Sequence, residues 1–382
     1  MLSATALVSL PVAAALLATA AGGATATRAR RPHDSSYTSR VFASGAGLTH
    51  ATANGSEALS KPDDITALGP HIFVAFQNGV GPQGESSASG NRSSTIVEFN
   101  RRGGAVRQWD ILGKCDGLTA DPTTGRLIAT VNEDANSSLY VLRPSKSGAA
   151  VHYSYDQPLP SAGGTDAISV YRGMILVSAS APGTTGAGAP QPTYPAVYRV
   201  RLNPSTHVAA IAPLFFDEAP ATLANTNSPG FGSTVQLAPT DPDSNEVVPS
   251  FVPRFGGDFM LTSQGDQQQI FVRRAGTAHQ SLVVLNLSAS VDDTAWPSSN
   301  AGALYITDNA ANTIYSVAGR FHRGQTFVAT TPCDSNSAPS TCPGPGYPGN
   351  YLGTLNPNTG QITPVALTGP AVAAQGMLFL RR

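Results

Sequence analysis

Lysine is nearly missing from this chain of 382 residues: Lys61, Lys114 and Lys146 are the three, and arginine supplies the other basic side chains. Charged residues of all kinds make up 12%, the formal net charge is −1, and the folded part contains no basic block. A nucleic-acid footprint needs clustered Lys and Arg, so that class of partner is excluded. Long stretches with apolar residues at a 3.6-residue period are also absent, which excludes a helical bundle. The three cysteines form no CxxC, and the seven histidines are scattered singly, so neither Cys-based nor His-based metal sites are visible locally. The phrases GxSxG, HExxH and SxxK do not occur. Beyond the N-terminal segment, no apolar run approaches the length of a membrane span.

What is present is turn chemistry and short apolar runs. Gly (38) and Pro (30) are abundant and hydrophobic residues make up 41%, enough for a full core cut into many short strands. The fold class read from this is all-β. Residues 1–26, with an apolar stretch from Ala6 to Ala20 and the small residues Ala24-Thr25-Ala26, read as an export signal. Residues 27–38 read as a polar linker and 39–382 as one domain, expected to be secreted, soluble and monomeric. An oxidising compartment suits a bridge between Cys333 and Cys342, which lie close together in a Pro/Ser-rich loop, and leaves Cys115 as a buried inert thiol.

The organising stretch is Cys115-Asp116-Gly117-Leu118-Thr119-Ala120-Asp121, then the turn Thr123-Thr124-Gly125, then the strand Leu127–Val131 and the polar loop at Asn132. Similar stretches begin at Asp63, Asp166 and Asp292, each followed by an apolar strand. Poorer copies begin near Ser250 and at Gln375. Four short strands per unit, repeating every forty to fifty residues, predict a β-propeller of six four-stranded antiparallel blades, with seven as the alternative. The fifth unit is read as running from Asp292 through Thr313–Val317 to Thr326–Ala329, and a strand from residues 38–50 is expected to close the ring beside the C-terminal strand.

In such a meander the starts of the inner strands share one channel mouth with the loops after the second strands. Asp63, Asp116, Asp166, Asp292 and Asn132 are therefore candidate ligands for calcium or another divalent cation, which favours oxygen donors. The opposing expectation is that Lys61 and Lys114, each two positions before an Asp, neutralise the ring. A simpler role for each Asp is bonding neighbouring backbone amides at a turn. Which of Asp292 and Asp293 faces the channel is open, because a one-residue slip exchanges them. Gly79–Gly84 matches GxGxxG but has no helix after it, and reads as a loop at the mouth.

With these residues in view, the chain resembles the gluconolactonase/regucalcin-type six-bladed propellers, and more loosely the strictosidine-synthase-like and paraoxonase-like ones. The resemblance rests on Cys115–Asp121, similar to a P-D-G-hydrophobic-x-x-D phrase, and on Tyr305-Ile306-Thr307-Asp308-Asn309, similar to Y-V-T-D-[SN]. It implies a divalent metal at Asp116 and hydrolysis of a lactone or ester, with Asp116 as the catalytic residue. Lys61-Pro62-Asp63 stands where that family has E-G-P. The alternative function is a non-enzymatic extracellular propeller that binds a glycan, peptide or protein through its loops, with residues 181–195 and 217–248 as the binding surface.

Overall fold

Runs of β-branched and aromatic residues bury the strands His71–Phe76, Arg126–Val131 and Met174–Ala179 almost end to end, because each is covered on both faces. Outer strands behave differently. In Ala105–Leu112 only Trp109 and Ile111 are buried, the alternation of a strand with one wet face. The computed structural model describes residues 37–52, 54–146, 148–160, 163–180, 194–331 and 350–381. The export segment 1–26, most of the linker 27–38, most of the 181–195 insertion and the Cys333/Cys342 pair lie outside the described residues. Among the described residues, no helix is long and apolar enough to cross a membrane.

The fold is a β-propeller. Its innermost strands are Pro62–Leu68, Cys115–Asp121, Thr165–Tyr171, Pro242–Val247, Val291–Ala295 and Met377–Arg381. Each contacts the next, and the last contacts the first, so the ring closes around a channel. From each, antiparallel strands lead outward, as in the order Pro62–Leu68, His71–Phe76, Ser93–Phe99 and Ala105–Leu112. The blades are held to one another by apolar clusters in the gaps between them. Phe73, Ile96 and Trp109 of one blade, for example, pack with Leu118, Leu127 and Tyr140 of the next. Truncating a core aromatic of this kind typically costs about 3–5 kcal/mol.

Three expectations are corrected. The fourth inner strand is Pro242–Val247, not the Pro249–Val252 stretch; Pro220–Leu223 and Thr234–Gln236 extend its sheet on the outer side. The fifth unit is not continuous either. Val291–Ala295 pairs with Thr326–Thr330, while the intervening hairpin of Gly302–Asp308 and Thr313–Ala318 belongs to the final blade. The N-terminal strand Tyr37–Ser44 does enter that blade, but it pairs with Thr313–Ala318, two strands outward from Met377–Arg381. Strand-forming residues carry no address: it is backbone pairing with Met377–Arg381 on one side and Tyr37–Ser44 on the other that puts the hairpin in the final blade.

Candidate functional site

Five inner strands carry the same irregularity where they begin. The pairing register slips between Pro62 and Ile65, Cys115 and Gly117, Thr165 and Ile168, Pro242 and Asn245, and Val291 and Thr294. Each slip is a β-bulge, which re-aims the side chains at the bulge. In these strands the re-aimed residues are Asp63, Asp116, Asp166, Asp243 and Asp292, and Gln375, which precedes the sixth inner strand, joins them. Gly117 lets the second and third inner strands approach, since a Cβ there would lie 2.6 Å from the Asp166 carbonyl oxygen.

Together these residues line a polar cavity of about 350 Å³, completed by Gln77, Lys114, Glu133, Asp134, Ser180, Asp241 and Gln264. Asp134 and Asp241 are exposed and form its rim with the half-buried Glu133. The Lys114 ammonium lies 2.9 Å from Asp116 Oδ1 and also bonds the Glu133 carboxylate. Gln77 Nε2 donates to Asp63 Oδ2 and Asp116 Oδ1, both at 2.8 Å. Gln264 Nε2 donates to Asp292 Oδ1 at 3.2 Å. Asp116 is only 8% exposed, and its second oxygen, Oδ2, has no hydrogen-bond partner.

Burial sets the electrostatics. It pushes the Asp116 carboxyl up to about 7, with Lys114 opposing the rise and Glu133 adding to it. Asp63, Asp166 and Asp243 are raised well above the usual carboxylate range, first by burial and then by neighbouring carboxylates. Asp292 is also raised by burial, against a hydrogen bond from Asp243 that lowers it. Burial alone would push the Lys114 ammonium down, but Asp116, Glu133 and Asp63 more than offset it and the net movement is upward.

The expected site residues are therefore placed as follows. Asp63, Asp116, Asp166 and Asp292 share the one mouth. Asn132 does not join them: at φ 68° its Oδ1 accepts the Lys114 backbone N–H at 3.0 Å and its Nδ2 donates to the Asn136 carbonyl. Asn78 does the same for Ser60, so both asparagines are turn posts. Lys61 is exposed and does not line the cavity; only Lys114 enters the ring. Asp293 also faces the channel, deeper down, so the bulge turns both members of the pair inward. Asp243 is hidden in the sequence although Pro242-Asp243 repeats Pro62-Asp63, because the apolar Phe251-Val252 nearby carries the stronger strand signal.

The donor set is entirely oxygen apart from Lys114, the chemistry that suits a hard divalent cation, and the orphaned Asp116 Oδ2 points to a missing partner. The carboxylates are spread around the mouth. Among the described residues, no three acidic, His or Cys groups converge closely enough to hold a metal ion.

No protein-family model and no curated protein matches the chain. Solved structures do. A periplasmic gluconolactonase of Pseudomonas aeruginosa aligns at 12% identity over 90% of this chain and 99% of its own, with a TM-score of 0.47. A candidate 6-phosphogluconolactonase of Bacteroides fragilis aligns at 12% identity over 91% and 98%, with a TM-score of 0.45. The β-propeller domain of Myceliophteria thermophila Swd1 aligns at 12% identity over 82% and 85%, with a TM-score of 0.38.

Proposed function

We propose that the chain hydrolyses a lactone or ester at this mouth with Asp116 as its general base, and that calcium or another divalent cation, when bound, draws in Asp63, Asp166, Asp243 and Asp292 from the spread positions they hold here. The observation that carries the reading is Asp116. It is a buried carboxylate raised to about 7, with one oxygen fixed by Lys114 and Gln77 and the other free. A general base works best with a pKa near the operating pH, so Asp116 is suited to take a proton from water. Lys114 has three N–H groups; two are engaged by Asp116 and Glu133, and the third is available to the oxygen of a substrate carbonyl. The proton taken by Asp116 then serves the leaving alkoxide. A bound divalent ion would supply Lewis-acid polarisation of the carbonyl. The resemblance carried by Cys115–Asp121 supports the same reaction class. The test is turnover of a panel of lactones and aryl esters by wild type and Asp116→Asn, with and without chelator. A folded wild type that turns over none of them rejects the reading.

The Lys114 bridge favours a second reading, in which the ring is neutralised from within and the mouth binds an extracellular glycan, peptide or protein without chemistry. Calcium and chelator would then leave the melting curve unchanged.

A further inference from the structure

Resting on the hydrolase reading, we propose that the mouth selects by charge: it admits an uncharged lactone and repels anions, both phosphorylated lactones and the carboxylate its own reaction forms. Among the described residues, eight carboxyl groups line the cavity against the single ammonium of Lys114, with no Arg or His beside them. Lys114 is already committed to two of the eight. Even a bound divalent ion leaves the carboxyl groups in excess. Because Glu133, Asp134 and Asp241 form the outer rim, an arriving ligand meets negative potential before it meets Lys114.

A second, independent feature points to a donor-bearing ligand. Asp116 is more than nine-tenths buried, lines the cavity and leaves Oδ2 without a donor. Both amide N–H groups of Gln77 are taken up by carboxylates, Gln264 gives one to Asp292, and Gln375 Oε1 accepts from the Asn309 N–H at 3.2 Å. The wall thus holds more carboxyl oxygens than N–H donors, and Asp116 Oδ2 is an acceptor without a donor. Hydroxyl groups answer it; phosphate and carboxylate oxygens do not.

Hydrolysis turns this selection into a direction. Water forms a bond to the acyl carbon, the acyl–oxygen bond of the ring breaks, and the ring oxygen takes a proton to become a hydroxyl. The new carboxylic acid loses its proton to solvent at neutral pH. A neutral substrate has become an anion inside a negative cavity, so repulsion favours its release.

Calorimetric titration of the full chain with three probes tests this: uncharged gluconolactam, which resists hydrolysis, gluconate, and 6-phosphogluconate. The lactam is expected to bind about tenfold or more tightly than either anion at low salt. The gap should narrow as sodium chloride screens the repulsion, and narrow again in the Glu133→Gln/Asp241→Asn double variant. Equal or tighter binding of either anion at low salt overturns the inference, and so does a lactam that fails to bind. Lactone turnover, measured alongside, decides the hydrolase reading separately. Turnover with anion-preferring binding keeps the reaction and removes the selectivity; lactam-selective binding without turnover does the reverse. If the double variant fails to fold, the salt series on wild type decides.

Discussion

The channel has two halves built from the same strands, and they use their acids differently. At the upper mouth, Asp116 and Asp292 bond side chains: Lys114 and Gln77 for the first, Gln264 for the second. The lower half is a cavity of about 340 Å³ whose wall includes Ile65, Leu118, Ile168 and Trp296 beside Asp64, Glu246 and Asp293. There Asp64 and Asp293 bond the backbone. Asp64 Oδ2 accepts the Leu118 N–H of the next inner strand at 2.6 Å, and Asp293 Oδ2 accepts the Met377 N–H of the closing strand at 2.5 Å. Side-chain partners can rearrange around a ligand, whereas a carboxylate that spans two strands acts as a strut. Adjacent residues, Asp63 with Asp64 and Asp292 with Asp293, thus divide chemistry from architecture.

That division is most directly broken through activity. Asp116→Asn should lower kcat by about 10²–10⁴-fold, the usual range for losing a general base, while leaving the urea midpoint nearly unmoved. A loss of stability comparable to the loss of rate would make Asp116 a strut as well. Next comes Asp293→Ala, which strands the buried Met377 and Thr294 amides and should destabilise by about 2–4 kcal/mol in urea unfolding. Asp292→Ala, one residue away, should cost less than about 1 kcal/mol. Reversed sizes would merge the two roles.

Calcium sharpens the contrast from the upper side. At one hundred times its dissociation constant it should stabilise the native state by about 2.7 kcal/mol, read as a rise in Tm. Asp292→Asn should weaken that rise and Asp64→Asn should not. The gentlest lever is pH without added metal. Burial raises Asp116 from 3.8 to about 7 and Asp293 from 3.8 to about 6, so over these intervals the folded chain holds more protons than the unfolded one. Stability from these groups is therefore full below about pH 4 and declines as pH rises toward 7. A Tm that instead rises across that interval would remove the burial argument at both levels.

Much of the upper mouth was legible because its Asp residues open apolar strands. Asp116 before Gly117-Leu118 and Asp166 before Ala167-Ile168 announce themselves in this way. Asp243 does not. Its strand, Pro242–Val247, faces the channel with Asp, Ser, Asn and Glu, so the apolar signal that marks a strand is nearly absent. The bulges were also hidden, since alternation alone makes Asp292 and Asp293 mutually exclusive, while a bulge admits both. Asn132 stands apart from the cavity for a local reason. An asparagine tolerates the left-handed backbone, and one so placed turns its amide back onto its own loop. Lys61 and Lys114 look equivalent by spacing, yet only one of them enters the ring.

The final blade draws its strands from Tyr37–Ser44, Gly302–Ala318 and Met377–Arg381, so its pieces come from both ends of the chain and from inside the fifth unit. Nothing can seat the first of these until residues almost three hundred positions later exist, and nothing can finish the ring until the last strand arrives. Closing such long loops is entropically slow, and the late contacts reward it only when all three pieces meet. The first three blades, each a continuous segment, can form as the chain emerges. The last one behaves as a clasp, and removing Tyr37–Ser44 or Met377–Arg381 should leave a partly wound ring with open strand edges exposed to self-association.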